Sequence, residues 1–401
     1  MGTLQITTHR NKIAQSIEEQ KEIYVKTSHA IHDNPEIGNQ EFFASKTLSL
    51  LLGSAGFQLQ HHIAGHETGF IARKSSGKKG PTIAFLAEYD ALPGLGHACG
   101  HNLIGVISTA AAIALSEVIE EIGGEVVVFG TPAEEGGPNG SAKGSYVKAG
   151  LFKEIDAALM IHPSGKTATT SPSLALDPLD FHFYGKPAHA ASSPEAGINA
   201  LDAVIQLFNS INALRQQLPA DVRIHGIITD GGKAPNIIPD YASARFFIRA
   251  KTRKRCTEIT EKVRNIAQGA ALATGTTVKI EQFQNEIDNL VINQAFNAII
   301  AEELEGLGEE VHRNERVGIG STDAGNVSQA IPTIHPYIKI GRDDLVAHTD
   351  AFREAARSAR GDEALIIGAN ALALTAYRLI TEETLLENIK QEFENGKKQE
   401  E

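Results

Sequence analysis

Side chains that can bind metal ions or move protons follow directly after three apolar, strand-like runs of the sequence. Asp90 follows the first run, Glu134 and Glu135 follow the second, and His162 follows the third. Ligands of open α/β sheets bind outside the carboxyl ends of the strands, so we expect these residues to lie together at one edge of a sheet. Carboxylates and imidazoles at such an edge suit metal binding and general acid-base catalysis.

A thiol and an imidazole stand two residues apart in the segment Gly96-His97-Ala98-Cys99-Gly100-His101-Asn102. Thiolate and imidazole are good ligands for zinc-like ions, and the alternating spacing places Cys99 and His101 on one side of an extended segment. The alternative is that Cys99 is a small buried hydrophobic residue. The glycines around the pair indicate a backbone held in unusual turns.

Glu134 and Glu135 are adjacent in a loop rich in proline and glycine, where they could simply be solvated charges. Their position directly after the apolar strand Val126 to Phe129 favours another interpretation, in which one carboxylate binds a metal ion and its neighbour is a general base. His162 and His348 each have a structural alternative, which is a hydrogen-bonded core histidine.

The composition limits what the protein can bind. The chain has 401 residues, 37 Lys and Arg against 49 Asp and Glu, and a formal charge of -12, so it lacks the positive patch that a nucleic-acid backbone needs. Its two cysteines are too few for a disulfide framework. The longest nearly apolar run, Leu103 to Leu115, is too short to cross a bilayer, and Met1 to Asn11 lacks the apolar core of a signal peptide. We expect a soluble cytoplasmic protein without nucleic-acid or membrane partners.

Strand-like runs alternate with helical patterns up to about residue 178, which is typical of an α/β domain with a largely parallel central sheet and helices on both faces. The predicted strands of this part are Thr82 to Tyr89, Glu125 to Thr131 and Asp156 to Ile161. A buried helix is predicted from Asn102 to Glu121, with Asn102 as its candidate N-cap.

Residues 179–288 follow a different order, which is predicted as strand-helix-strand-strand-helix-strand. This order is that of a ferredoxin-like unit, complete in itself. Its strand from Tyr241 to Ala250 alternates so that Arg245, Phe247 and Arg249 share one face. The α/β rhythm resumes after it, with helices from Gln294 to Leu307 and from Asp362 to Ile380 and a strand-like stretch around Thr333 to Ile340. The larger domain is therefore predicted to be discontinuous and to consist of residues 1–178 and 289–401.

Two segments carry a family resemblance over nearly the whole chain. They are Gly96 to Asn102 and Gly320-Ser321-Thr322-Asp323-Ala324-Gly325-Asn326-Val327-Ser328, and the match extends from His32-Asp33-Asn34-Pro35-Glu36 to His348. The chain resembles the two-metal amidohydrolase and peptidase superfamily of aminoacylases, glutamate carboxypeptidases and amino-acid amidohydrolases. The two segments are most similar to the branch with p-aminobenzoyl-glutamate hydrolase and the β-alanyl-dipeptide dipeptidases.

The resemblance implies two divalent metal ions per subunit, which are zinc, manganese, cobalt or nickel. The implied ligands are Cys99 between the two ions, Glu135 and His348 on one ion, and His101 and His162 on the other. Glu134 would be the base that deprotonates a metal-bound water, and Asp90 would orient a metal ligand. Glu88 and Asn102 stand where many relatives have Asp, and neither is predicted as a ligand.

By the same resemblance, the inserted domain is a lid that also forms a homodimer. His189 matches the histidine that reaches the partner subunit's active site and polarises the scissile carbonyl, and Asn236 and Arg249 match positions that hold the substrate's carboxylate. From the residues alone, Asn236 could be a turn residue before Ile237-Ile238-Pro239, and Arg249 could be a solvent-facing arginine.

The implied function is metal-dependent hydrolysis of the amide bond of an N-acyl or N-aroyl amino acid or a small dipeptide. Examples are p-aminobenzoyl-glutamate and a β-alanyl dipeptide. A broad N-acyl-amino-acid deacylase, or aminoacylase, is the alternative among enzymes. A non-catalytic protein that binds acyl-amino acids is the alternative of another class, although it would not need Glu134 as a base. Specificity is expected to depend on the lid and on the loop from Gly318 to Asn326.

Overall fold

The structure, a computed structural model, describes residues 3–313 and 320–400 and divides into two compact units. Unit 1 consists of Met1–Pro172 and Leu290–Glu401, and unit 2 consists of Ser173–Asn289. Unit 2 is thus an insertion in the sequence of unit 1. The predicted specificity loop from Gly318 to Asn326 begins outside the described residues.

The first segment of unit 1 starts with three helices and a β-hairpin and continues as alternating strands and helices. Its helices are α1 (Thr3–Glu19), α2 (Lys21–Asp33), α3 (Phe42–Ser54), α4 (His101–Ser116), α5 (Ile119–Ile122) and α6 (Ala142–Lys148). Its strands are β1 (Gln58–Ile63), β2 (His66–Ser75), β3 (Thr82–Ala87), β4 (Glu125–Gly130), β5 (Ala157–Leu159) and β6 (His162–Ser164).

Unit 2 contains long strands and two helices in the order strand-helix-strand-strand-helix-strand. These elements are β7 (Ala175–Tyr184), α7 (Ala200–Leu214), β8 (Arg223–Asp230), β9 (Tyr241–Ala250), α8 (Arg253–Thr274) and β10 (Thr277–Gln282).

The second segment of unit 1 is mainly helical. Its elements are α9 (Gln294–Gly306), α10 (Ala324–Ala330), β11 (Thr333–Ile334), β12 (Tyr337–Lys339), α11 (Asp350–Ala355), α12 (Ala359–Thr381) and α13 (Glu383–Glu400).

The central sheet of unit 1 has six strands in the order β1-β2-β4-β3-β5-β11. The strands β4, β3, β5 and β11 run parallel to one another, whereas β2 is antiparallel to both β1 and β4. The prediction of an α/β fold with a sheet rich in parallel pairs is confirmed. Two short strands, β6 and β12, form a separate parallel pair.

Successive residues of the central strands contribute to two hydrophobic clusters, so both faces of the sheet are covered. Ile83 and Phe85 of β3 belong to the larger cluster, which includes residues of α1 to α4, α9 and α12. Ala84 and Leu86 belong to the other cluster, which includes residues of α6 and α10. Helix α4 packs against both β3 and α12, and every one of its residues is buried.

Among the described residues, α12 is the one helix that is long and apolar enough to cross a membrane. However, 78% of its apolar window is buried inside the protein, where it packs against α1, α4 and α9. The burial explains the apolar composition of α12 as that of a core helix.

The predicted N-cap of α4 is wrong. Gly100 precedes the helix in a left-handed conformation, with φ of 80°, and the helix starts at His101. Asn102 instead lies in the first turn, where its buried amide donates to Oγ of Ser28 at 2.9 Å and to the carbonyl oxygen of Ala356 at 3.1 Å. The left-handed turn at position 100 favours glycine, which has no Cβ to oppose that conformation.

The sheet of unit 2 is antiparallel throughout, in the order β10-β7-β9-β8. Its core lies between this sheet and the helices α7 and α8, and includes Phe181, Val204 and Val263. The two ends of unit 2 lie side by side, because Leu176 and Ile287 exchange backbone hydrogen bonds of 2.8 and 3.0 Å.

Candidate metal centre

Three neighbouring parallel strands, β4, β3 and β5, end at the same edge of the central sheet. Asp90 follows β3, Glu134 and Glu135 follow β4, and His162 follows β5. The expectation that these strand ends meet at one edge is confirmed. The loops after the strands form the candidate site.

Six side chains meet at this edge within the reach of metal ions. They are Cys99, His101, Glu134, Glu135, His162 and His348. One group is Cys99, His101 and His162, whose ligand-type atoms all lie within 4.8 Å of one another. A second group with the same spacing is Cys99, Glu135 and His348. Because Cys99 belongs to both groups, its thiolate lies where two ions could share it.

Hydrogen bonds fix the orientation of two histidine rings. Nδ1 of His101 lies 2.8 Å from Oδ1 of Asp90, and Nδ1 of His162 lies 2.8 Å from the carbonyl oxygen of Pro163. Each acceptor favours a proton on Nδ1, which in the neutral ring leaves the lone pair on Nε2. Nε2 of His162 lies 3.4 Å from Sγ of Cys99, so this lone pair faces the site.

His348 joins the site from a loop in an unusual backbone conformation. Its φ is 63°, in the left-handed region that residues other than glycine rarely adopt. Its backbone N–H donates to the carbonyl oxygen of Ala98 at 2.9 Å, and its Nε2 lies 3.3 Å from Oε1 of Glu135. The His348 side chain is 53% exposed, so solvent reaches the site at this residue.

Two buried carboxylates hold the loop that carries Glu134 and Glu135. Oε1 of Glu41 accepts a hydrogen bond from the backbone N–H of Ala133 at 2.9 Å, and Oδ2 of Asp90 accepts one from the N–H of Glu135 at 2.9 Å. Ala133 has a positive φ of 58°, so the loop depends on these bonds to keep a strained turn. Asp90 thus contacts both the ring of His101 and the backbone of Glu135.

Burial gives two groups of the site unusual proton affinities. Burial raises the pKa of Glu134 well above its ordinary value, and the nearby carboxylates of Glu88 and Glu135 raise it further. Burial lowers the pKa of His162 to about 4, so this ring is neutral at pH 7. A neutral imidazole can bind a metal ion, and a carboxyl with a raised pKa can accept a proton near neutral pH.

Sequence reasoning missed a fully buried group of charges beside Glu134. Nζ of Lys143 lies 2.7 Å from Oε1 of Glu88 and 2.5 Å from Oδ1 of Asp323, and all three side chains are inaccessible to solvent. Glu88, Glu134 and Asp323 have carboxylate oxygens within 4.8 Å of one another. No local signal separates Lys143 from a surface lysine, and Asp323 is marked only by the family-like segment that contains it.

A second missed residue is His335, which packs on His162. The two ring centroids are 5.4 Å apart and the rings are inclined by 28°. Both nitrogens of His335 are buried and make no hydrogen bond among the described residues. His335 lies between β11 and β12, in a stretch predicted only as a strand, so its type alone gave no sign of this contact.

The donor set of the site fits divalent metal ions. Nε2 of His101 is buried and makes no hydrogen bond in the described parts of the chain, and the carboxylates of Glu88 and Glu135 are its neighbours at 3.5 and 3.9 Å. An unpaired buried nitrogen is unfavourable unless an ion or water satisfies it. Thiolate, imidazole and carboxylate together accept zinc and other first-row divalent ions.

Three predicted site residues lie in unit 2, and two of them are in adjoining loops. His189 lies beside Asn236, because the N–H of Ala190 donates to the carbonyl oxygen of Asn236 at 3.0 Å. Nδ1 of His189 accepts hydrogen bonds from the N–H groups of Ala191 and Ser192, at 3.2 and 3.1 Å. In the neutral ring this places the proton on Nε2 and makes that atom a donor.

The third of these residues, Arg249, lies in β9. It is half-buried and shares a strand face with Arg245 and Phe247, as the alternation predicts. Its guanidinium carbon lies 5.5 Å from the centroid of the Phe247 ring. Arg249 is therefore partly packed along this face and partly exposed to solvent.

The family follows from comparison with known proteins. Residues 84–378 match the family described as peptidase family M20/M25/M40. The chain belongs to this peptidase family. As an M20 peptidase it is a hydrolase that acts on C–N bonds, and it is a metal-dependent amidohydrolase or dipeptidase.

Curated relatives of this M20 peptidase cover most of its length. It is 38% identical over 400 residues to the Xaa-Arg dipeptidase of Mus musculus, a match that covers 96% of this chain and 92% of the relative. It is also 38% identical over 288 residues to one of the subunits of the p-aminobenzoyl-glutamate hydrolase of Escherichia coli, a match that covers 67% of this chain and 59% of that protein.

Solved structures show the same fold. A dinuclear metal-binding M20 peptidase of Bacillus subtilis has a TM-score of 0.65 and 19% sequence identity, and the match covers 90% of this chain and 99% of that one. An M20 fold and a suitable donor set together support divalent metal ions in this protein.

Proposed function

We propose that this M20 peptidase hydrolyses the amide bond of a small dipeptide or of an N-acyl or N-aroyl amino acid, with Glu134 as the general base. The position of Glu134 carries the proposal. Its carboxylate is 12% exposed and lies 3.9 Å from Nε2 of His101, in one group with Glu135. A base in this position is within reach of a water molecule that the same group holds.

Divalent ions, when bound, polarise the scissile carbonyl and make water acidic enough to react near neutral pH. Glu134 takes the proton from that water and later delivers it to the leaving amine. In the metal-free protein its raised pKa means that the carboxyl holds a proton tightly, which suits the later delivery of that proton to the leaving amine. Asp90 holds the ring of His101 through the 2.8 Å hydrogen bond and so keeps Nε2 directed at the site.

For unit 2 we propose the role of a ferredoxin-like lid that completes the active site of a partner subunit. His189 would donate from Nε2 to the scissile carbonyl oxygen, which is consistent with the two backbone N–H groups that bind its Nδ1. A positioned donor of this kind contributes about 10² to 10³ in turnover. Asn236 and Arg249 would hold the carboxylate of the substrate.

The proposed homodimer would form through the β8 edge of the unit 2 sheet. β8 lies at one edge of the four-stranded sheet, and its Ile227 and Ile228 are 63% and 46% exposed. An edge strand with apolar side chains can pair with a second strand, which supports dimerisation through a continuous sheet.

The names of the relatives guide the choice of substrates. The Mus musculus relative is named for Xaa-Arg dipeptides and the Escherichia coli relative for p-aminobenzoyl-glutamate. We propose that this protein also cleaves next to a free amino-acid carboxylate. A broad deacylase, which accepts many N-acetyl amino acids, is the second candidate.

The test is the release of free amino acid from a substrate panel. The panel contains dipeptides with C-terminal Arg or Lys, β-alanyl dipeptides, p-aminobenzoyl-glutamate, and N-acetyl and N-benzoyl amino acids. Protein loaded with zinc, manganese, cobalt or nickel is compared with chelated protein. We expect metal-dependent turnover, and the rank order separates a dipeptidase from a deacylase. A folded dimer that binds metal and cleaves no member of the panel would favour the non-catalytic binding protein.

A further inference from the structure

Lys143 is a lysine without any exposed surface, and two carboxylates hold it. Asp323 binds it at two points, because Oδ1 accepts from the ammonium group at 2.5 Å and Oδ2 accepts from the backbone N–H of Lys143 at 3.2 Å. Oε1 of Glu88 lies 2.7 Å from the ammonium group and forms an ion pair with it, without the geometry of a hydrogen bond. A buried charge is costly unless it is paired and hydrogen-bonded; here both carboxylates pair with the ammonium group, and Asp323 accepts its hydrogen bond.

The carboxylate of Glu134 adjoins this ion pair. Its oxygens and those of Glu88 and Asp323 all lie within 4.8 Å of one another, which is the spacing of a group that can hold a cation. Three carboxylates at such distances repel one another and attract positive charge. The ammonium group of Lys143 provides this positive charge from within the chain.

The second oxygen of Glu88 connects the ion pair to the candidate metal ligands. Oε2 of Glu88 lies 3.5 Å from Nε2 of His101, whereas Oε1 is bound to Lys143. If the ammonium group were absent, Glu88 could turn both oxygens toward cations at the site. The pairing with Lys143 therefore limits which carboxylates are available to metal ions.

We propose that Lys143 is a positioning residue that acts as an internal cation. By holding Glu88 and Asp323, it prevents this acidic group from binding a further metal ion and keeps Glu134 free to act on water. The inference rests on the proposed metal centre. It adds to that centre a residue to which the family resemblance assigns no role.

The first test is Lys143→Met, which keeps most of the length of the side chain and removes its charge. We expect the variant to bind a third Mn²⁺ ion per chain, whereas the wild-type protein saturates at two. Turnover should fall by about 10² or more, because a Glu134 that binds metal no longer serves as a base. Metal content is measured by mass spectrometry after equilibrium dialysis against increasing Mn²⁺. Lys148→Met, at the exposed end of α6, is the matched control and should behave as wild type.

The second test removes the negative charge of Asp323 together with the positive charge of Lys143. The double variant Lys143→Met/Asp323→Asn should again bind two Mn²⁺ ions. Its turnover should be at least tenfold higher than that of Lys143→Met. A purely structural role for Lys143 predicts no such return, since the double variant lacks more hydrogen bonds than the single one. Circular dichroism and thermal unfolding show which variants are folded.

Three results would overturn the inference. They are a folded Lys143→Met variant with two ions and wild-type turnover, a folded double variant that binds a third ion, and a wild-type protein that binds a third ion as tightly as the first two. If the single variant does not fold, the double variant and the wild-type titration decide the question. A different result would overturn the proposed reaction alone. If the wild type cleaves no member of the substrate panel but the metal counts are as expected, the role of Lys143 in metal binding still stands.

Discussion

At the scale of single residues, two adjacent carboxyls have pKa values that shift in opposite directions. Burial and the carboxylates around it raise the pKa of Glu134. Burial acts on Glu135 in the same sense, but the hydrogen bond with His348 and the charge of His101 outweigh it and lower the pKa of Glu135. Neighbouring carboxyls that differ in this way suit different tasks, since one can exchange a proton while the other stays charged and binds a cation.

The first prediction at this scale concerns Glu134→Gln. The amide has the same shape but cannot take a proton, so turnover should fall by about 10² to 10⁴ while the metal content stays unchanged. Turnover and bound metal are measured on the same preparation, with Glu154→Gln on an exposed loop as the control. Wild-type turnover in Glu134→Gln would show that another group is the base.

The second prediction concerns the pH dependence of stability through Glu41. Burial, with a further contribution from Asp90, raises the pKa of Glu41 from 4.5 to about 7. The folded protein therefore binds this proton more tightly than the unfolded chain. The stability that Glu41 contributes is complete below about pH 4.5 and is lost as the pH rises through about 7.

Glu41→Gln should remove this dependence. Its free energy of unfolding relative to wild type should rise between pH 5 and pH 7, with a slope of up to about 1.4 kcal/mol per pH unit. Urea unfolding of the metal-free proteins from pH 5 to pH 8 measures the difference, and Glu67→Gln on the exposed side of β2 is the control. A difference that does not change with pH would contradict the assignment.

At the scale of elements, close packing between α4 and β3 gives the third prediction. A Cβ at Gly105 would lie 2.8 Å from the backbone oxygen of Glu88 and 2.9 Å from Cδ1 of Leu48. Gly105→Ala should therefore destabilise unit 1 by about 1 to 3 kcal/mol, although alanine is the better helix former. Gly306→Ala at the end of α9, where a Cβ has no neighbour within 4 Å, should be neutral or stabilising. Denaturant unfolding compares the two, and equal stability of both variants would contradict the packing argument.

Local patterns predicted most elements well. Strand β9 runs from Tyr241 to Ala250 as predicted, and its buried and more exposed residues alternate from Ala244 onward. Helix α9 ends at Gly306, one residue before the predicted end. The predicted strand from Thr333 to Ile340 instead forms two short strands on either side of Pro336, since proline has no N–H to donate to a sheet.

The candidate ligands could be predicted because they follow strand ends, but their supporting partners could not. Lys143 meets Asp323 across 180 residues of sequence, and Glu41 meets Ala133 across 92. No local pattern marks such pairs, since they exist only once the sheet has brought distant loops together. The separate roles of the ligand candidates stay predictions from the family resemblance.

At the scale of the whole molecule, the proposed dimer gives the fourth prediction. A His189→Ala subunit mixed with a Glu134→Gln subunit should form heterodimers in which one active site has both side chains intact. Their turnover should clearly exceed that of either parent homodimer, as measured on purified heterodimers carrying two different tags. No recovery in such heterodimers would mean that His189 acts within its own chain or has no part in turnover.

The side-by-side ends of unit 2 have a consequence for synthesis on the ribosome. β11, which pairs with β5, and α12, which covers α4, are made only after all of unit 2 has been translated. Domains generally fold as units while the chain emerges, so unit 2 has its full set of strands before unit 1 does. Until then the apolar α4 lacks the cover that α12 provides in the folded protein. Because of the insertion, we expect unit 1 to complete its core only after unit 2 has been made.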